Sequence, residues 1–150
     1  MSAYVDALKM LARRELSEAQ VRQRLARRGH DAADIDEAVA RLREERALDD
    51  QRTAEAIART ETGIRGRGKL RVRQRLASAG IPNATARRAL DEVFNTIDSD
   101  ALLTSAVDKR LHGRTEIADD REFARLYRYL IGQGFEADRV LNALTARRRR

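Results

Sequence analysis

Cysteine is absent from this sequence. Disulfides and zinc–thiolate sites are therefore excluded. Proline occurs once and aromatic residues only six times, while Ala, Leu, Arg and Glu abound. That balance favours helix throughout and leaves little material for strands. No apolar run approaches the roughly 20 residues that a membrane span needs. No signal-peptide pattern opens the chain, so the expected location is cytoplasmic, without a membrane partner. The two histidines, His30 and His112, are far apart in sequence. With no cysteine and no metal-spacing motif, the sequence offers no catalytic residue, no metal ligand set and no cofactor site, and an enzyme is not expected.

What is present is charge. Of 150 residues, 37% are Asp, Glu, Lys or Arg, with a formal net charge of +7. Cores built from such a chain must be thin, made of several narrow helical contacts. The charge is unevenly placed. Residues 1–50 carry 10 basic and 11 acidic side chains, residues 51–97 carry 10 and 4, and residues 98–150 carry 11 and 9. The middle third thus supplies most of the excess. A basic middle implies an acidic partner, either nucleic acid or an acidic protein surface.

Helical spacing recurs along the whole chain. Tyr4, Ala7, Leu8 and Leu11 form the stripe of a first helix. Ser17 and Gln20 stand at capping-box spacing and start a second, which carries Val21 and Leu25 and stops at Gly29. Asp31 or Asp34 can cap a third, with Ile35, Ala38, Val39 and Leu42 on its apolar face. Asp49 or Asp50 can cap a fourth, bearing Ala54, Ile57 and Ala58. The pattern then restarts. Val72, Leu76 and Gly80 repeat Val21, Leu25 and Gly29 at an offset of 51 residues. Pro82 suits the first turn of the next helix, where Ala86, Ala89, Leu90 and Val93 echo the third. Residues 98–100 cap a seventh helix holding Leu102, Leu103, Ala106, Val107 and Leu111. Asp119 or Asp120 caps an eighth, in which Leu126, Leu130 and Gly134 repeat the motif at an offset of 54. Val140 and Leu144 belong to a ninth. The pattern predicts an all-α chain of three tandem three-helix repeats (residues 1–47, 48–97 and 98–150) in an elongated, curved arrangement.

The repeated unit has a physical content. A glycine after the helix takes the left-handed conformation, and the following residue folds back four positions before the glycine. The predicted pairs are Leu25 with His30, Leu76 with Ile81, and Leu130 with Phe135. His30 reads as a half-exposed ring at a helix end.

The stretch from Gly63 to Ile81 holds the densest basic run: Arg65, Arg67, Lys69, Arg71, Arg73 and Arg75, with no acid among them. Gly66-Arg-Gly-Lys-Leu70 superficially resembles a phosphate-binding loop. No strand precedes it, the glycine spacing is wrong, and Leu70 stands where a hydroxyl must bind magnesium. The glycines read instead as a flexible hinge into the fifth helix, whose N-terminus can attract an anion. On that helix Val72, Leu76 and Ala79 share a face. Lys69 and Arg73 flank it on one side, Arg71 and Arg75 on the other, giving two basic rows beside an apolar seam. Solvated surface helices usually mix signs at i,i+4, so these six residues are the candidate binding set for a partner or nucleic acid. Arg65, Arg67 and Lys69 belong to the middle unit alone, whereas Arg73 and Arg75 recur as Arg22 and Arg24. No aromatics interleave, which disfavours a stacking platform. Arg147 to Arg150 read as a frayed tail, with weak nonspecific attraction to nucleic acid as the alternative.

Ala47-Leu-Asp-Asp-Gln-Arg-Thr-Ala-Glu-Ala56, followed by Arg65 to Ile81, resembles the RecX regulatory family. The shared pattern is a hydrophobic-Asp-Asp turn, a glycine-rich basic loop and an amphipathic segment ending in Gly-Ile. Thr53 departs from the family's usual Phe and thins the core of the middle repeat. Lys69 stands where Pro is common, Ala79 replaces a basic residue, and the third repeat diverges most. The resemblance implies a non-enzymatic, monomeric modulator of the RecA recombinase in DNA repair, recombination and the SOS response. Such a protein binds along the RecA filament on DNA and lowers its ATPase, strand-exchange and coprotease activities. The alternative is a direct DNA-binding protein made of helix-turn-helix-like units, and weak direct DNA binding can accompany the first reading.

Overall fold

Helices start where short polar side chains can accept the free N–H groups of a first turn. The computed structural model describes residues 1–149. Among them are α1 (Ala3–Arg13), α2 (Glu18–Arg27), α3 (Ala32–Glu44), α4 (Asp50–Gly63), α5 (Lys69–Ser78), α6 (Asn83–Asn95), α7 (Ser99–Leu111), α8 (Asp120–Gly132) and α9 (Ala137–Thr145). The described residues contain no strand, only one isolated bridge between Ile117 and Arg148. Ser17 and Gln20 form the full capping box of α2. Asp31, Asp49, Asp98 and Asp119 each accept the backbone N–H three residues on, at 2.8–3.1 Å. Asp50 caps a different helix: its Oδ1 accepts the Glu18 N–H at the start of α2. Pro82 lies one position earlier than expected. Helix α6 begins at Asn83, and the Pro82 carbonyl accepts the Ala86 N–H at 2.8 Å. The missing proline N–H has no intrahelical acceptor at that cap either.

The three repeated glycines close their helices alike. Gly29, Gly80 and Gly134 have φ of +90°, +79° and +98°. Each donates its N–H to the carbonyl three residues back, and His30, Ile81 and Phe135 donate to Leu25, Leu76 and Leu130 at 3.1–3.2 Å. This is the paired 6→1 and 5→2 Schellman pattern. The backbone fold-back predicted at all three glycines is therefore present.

By contacts the chain divides into two compact units. One comprises Met1–Ile57 and Arg75–Ala89, the other Ala58–Gln74 and Leu90–Arg150. In the first, Ala7, Val21, Leu25, Val39 and Leu42 are fully enclosed in a core with Ala3, Met10, Leu16, Ile35 and Leu48. Ser17 is also fully buried. Its Oγ accepts the Gln20 N–H and donates to the Ala79 carbonyl at 2.5 Å. Thr53 is 1% exposed. Its hydroxyl lies 3.0 Å from Glu15 Oε1 and 3.4 Å from the Leu16 carbonyl, so burial leaves it satisfied. His30 is not the half-exposed ring expected. Its side chain is 14% exposed, and Nε2 lies 2.6 Å from Oδ2 of the buried Asp6. That hydrogen bond, with Arg28 adding charge at 3.2 Å, holds the Asp6 carboxyl below its usual range.

In the second unit, Leu103, Val107, Leu111, Ile117, Leu126, Leu130, Phe135, Val140 and Leu144 form the core of α7, α8 and α9. The chain end is docked, not frayed, as far as Arg149. The Ile117 N–H donates to the Arg147 carbonyl at 2.7 Å. Arg147 Nη2 pairs with Asp108 at 2.7 Å, and the Arg148 guanidinium lies 4.3 Å from the Phe123 ring centre. Arg149 pairs with Glu116 at 3.7 Å. Asp108, the Phe123 ring and Glu116 thus hold three of the four arginines; Arg150 lies outside the described residues.

Candidate functional site

The basic run begins where α4 ends. Its glycines do not form a hinge. Each backbone N–H from Ile64 to Gly68 finds a carbonyl: Ile64 and Arg65 that of Thr60, Gly66 that of Thr62, Arg67 that of Glu61, and Gly68 that of Gln133. A loop with every donor engaged is held in place. Gly68 also allows a backbone crossing. A Cβ there would lie 2.5 Å from the Gly134 carbonyl carbon and 2.7 Å from the Phe135 nitrogen. The Leu70 N–H donates to the Gly134 carbonyl at 3.0 Å. Carbonyls from the α8–α9 turn thus take N–H groups at the start of α5. The anion attraction expected at that N-terminus is replaced by this crossing.

The six candidate side chains fall into distinct environments. Arg65 lies 3.7 Å from the buried Glu61, one helical turn before it. Lys69 lies 4.0 Å from Asp91 and 6.0 Å from the Phe94 ring centre. Arg71 donates to the Gly132 carbonyl at 2.9 Å, so it completes the C-terminal end of α8. Arg75 approaches the Ser78 hydroxyl at 3.4 Å. Arg73 is exposed and Arg67 half-buried, and neither guanidinium has an acceptor among the described residues. Val72, Leu76 and Ala79 are buried at 0–1% exposure, as the seam requires. The acids missing from the run come from Glu61 and Asp91. The Glu61–Arg65 pair was legible from its i,i+4 spacing; the Lys69–Asp91 pair was not.

What remains outward is a mixed surface. Ile64 is 79% and Leu70 43% exposed, beside Arg65, Arg67 and Arg73. Exposed aliphatic side chains among arginines suit an acidic macromolecular surface with apolar contacts. Among the described residues no three His, Asp or Glu side chains converge as a metal site, and no helix is long and apolar enough to cross a membrane. Asp49 and Asp119 cap α4 and α8, and Asp50 accepts the Glu18 N–H; burial pushes the Asp50 carboxyl up.

Residues 3–42 match the family model for the first three-helix domain of RecX, and residues 49–90 that for the second. The chain belongs to the RecX family. Curated relatives carry the name "Regulatory protein RecX". The one from Halorhodospira halophila is 38% identical over 141 residues, covering 93% of this chain and 84% of that protein. The one from Acidithiobacillus ferrooxidans is 37% identical over 145 residues, covering 96% and 89%. The crystal structure of RecX from Lactobacillus salivarius shares the fold, with a TM-score of 0.77 at 20% identity over 96% of this chain and 93% of that one. Both stretches that carry the resemblance, Ala47–Ala56 and Arg65–Ile81, meet the second RecX domain. Another basic cluster lies on α7 and α8 around Arg110 and Arg125. Its members are scattered in sequence among acids, so no basic run marks them.

Proposed function

We propose that this chain binds RecA filaments assembled on DNA and modulates them, mostly by lowering ATP hydrolysis, strand exchange and coprotease activity. The observation that carries this reading is membership of a family named for regulation, over nearly the whole chain. Three tandem three-helix repeats, 1–47, 48–97 and 98–150, are the units through which it would reach several filament subunits, so that weak contacts add by multivalency. The contact set is Arg65, Arg67, Lys69, Arg71, Arg73 and Arg75. Within it Arg67 and Arg73 have the most freedom to meet acidic groups. Lys69 and Arg65 must exchange a partner, and Arg71 serves mainly to hold its own loop. The chain acts as a monomeric binding protein and performs no chemistry of its own. The test is RecA ATPase on single-stranded DNA with this protein added, alongside cosedimentation with preformed filaments. Inhibition and binding are expected; the absence of both would sink the reading.

Direct DNA binding is the second reading, favoured by the surplus of six positive charges in residues 51–97. It predicts salt-sensitive affinity for bare duplex that falls when Arg71, Arg73 and Arg75 are changed to Ala. Unchanged affinity for DNA in the absence of RecA would remove it.

A further inference from the structure

Helix α7 ends in two successive residues of positive φ, His112 at +50° and Gly113 at +87°. The chain reverses there, and Arg114 returns beside α8. On α8, Glu122, Arg125 and Tyr129 stand at i, i+3 and i+7, hence on one face. The result is a cavity of about 270 Å³ lined by Arg110, His112, Arg114, Glu122, Arg125 and Tyr129. Three guanidiniums share it with a single carboxylate. That carboxylate is already engaged. Arg114 donates to both Glu122 oxygens at 3.0 and 2.7 Å, and the Ala118 N–H donates to one at 3.0 Å. Arg125 lies farther off, at 3.8 Å, and is exposed. Arg110 lies with its guanidinium carbon 3.6 Å from the Tyr129 ring centre. Stacking satisfies the face of a guanidinium and leaves its in-plane N–H donors available. Arg110 and His112 have no acceptor among the described residues.

We propose that this cavity is a phosphate-binding site, taking the oxyanion of a phosphate ester or phosphodiester between Arg110 and Arg125 with His112 beside them. Charge decides for an anion. One carboxylate neutralises Arg114, and two guanidiniums remain in a concave site, where their donors can converge on one ligand. Planar N–H forks match phosphate oxygens in pairs. The inference stands apart from the RecA reading, because it rests on α7 and α8 alone.

Only two histidines occur in the chain, so an imidazole NMR spectrum carries two sets of signals. His30, held by Asp6 in the other unit, serves as the internal reference. His112→Asn assigns the spectrum; asparagine tolerates the left-handed backbone. Titration of the full chain with inorganic pyrophosphate should move the His112 signals and leave His30 in place. An oligothymidylate lacking terminal phosphates tests the backbone phosphodiester as source. If it moves His112 too, the natural ligand includes nucleic acid; if pyrophosphate alone acts, the ligand is a free phosphate ester. Arg110→Gln and Arg125→Gln should each weaken binding about tenfold, as expected for one charge-assisted hydrogen bond. The charge-matched control Arg87→Gln, on exposed α6 surface, should not. The proposal is overturned if neither phosphate probe moves His112, if Arg87→Gln weakens binding as much as Arg110→Gln, or if a glutamate octapeptide binds there as tightly as pyrophosphate.

Discussion

Replacing Gly68 with alanine tests whether the basic loop is a fixed crossing or a hinge. A Cβ at residue 68 would sit 2.5 Å from the Gly134 carbonyl carbon, 2.6 Å from its oxygen and 2.7 Å from the Phe135 nitrogen. These are backbone atoms, and no rotamer change can move them aside. The turn must separate from the start of α5. Overpacking of this kind costs about 1–3 kcal/mol. Separation also loses the bonds from Gly68 N to Gln133 O and from Leu70 N to Gly134 O, each contributing about 0.5–1.5 kcal/mol. The expected loss is about 2–6 kcal/mol, a large part of the ~5–15 kcal/mol of a typical domain. Gly66→Ala is the control. Its φ of +65° is unfavourable for alanine, but nothing lies within 4 Å of the added carbon. It should cost only about 1–2 kcal/mol. Urea melts should show a midpoint lower by roughly 1–3 M for Gly68→Ala, taking a slope of about 2 kcal/mol/M. Amide exchange at Leu70 should accelerate in that variant alone. Should Gly68→Ala cost less than Gly66→Ala and leave the Leu70 amide protected, the crossing is not what holds the loop.

Ser17→Ala removes a helix cap and strands a carbonyl together. The expected loss is about 2–4 kcal/mol, from about 1 for the cap and 1–3 for the abandoned Ala79 carbonyl, read by urea denaturation; a loss below that of an ordinary exposed cap contradicts the dual bond. Glu122 has its carboxyl lowered from 4.5 to about 2, first by the Arg114 hydrogen bonds and then by the Ala118 N–H. Because the folded value is depressed, its contribution is present above the ordinary carboxylate range and is lost as pH falls from about 4.5 towards 2. A carboxyl NMR titration should find that midpoint, and Arg114→Gln should return it towards the ordinary range. Arg67→Ala and Arg73→Ala should each weaken filament binding about 3–5-fold, the scale of an exposed charge contact, without changing the melting temperature. Arg71→Ala should instead lower stability by up to about 1 kcal/mol, since it removes the donor at the C-terminal end of α8.

These predictions separate what is local from what is not. The Ser17 cap and the glycine stops at residues 29, 80 and 134 were legible, and Asp31, Asp49, Asp98 and Asp119 each as one of two or three candidate caps, because each joins groups within six residues of one another. Buried stripes such as Ile35, Ala38, Val39 and Leu42 were legible for the same reason: helical periodicity is a property of a short window. The crossing of Gly68 over Gly134 joins residues 66 apart, and nothing in either neighbourhood announces it. A glycine that accommodates another backbone looks, in sequence, like a glycine that supplies flexibility. The six basic residues stand together in sequence, but nothing in the run separates their roles. Arg71 differs from Arg73 only through the Gly132 carbonyl that reaches it from elsewhere. His30 reads as a surface ring until Asp6, 24 residues earlier, is brought beneath it. The terminal arginines look frayed by composition, and Asp108, Glu116 and Phe123 hold three of them.

The most direct measurement is the ATPase rate of RecA on single-stranded DNA, titrated with this protein and with its Arg67→Ala/Arg73→Ala double variant. The account predicts concentration-dependent inhibition by the native chain, weakened roughly tenfold or more in the folded double variant if the two contacts add. A RecA rate unaffected by the native chain, with no cosedimentation on preformed filaments, would contradict it.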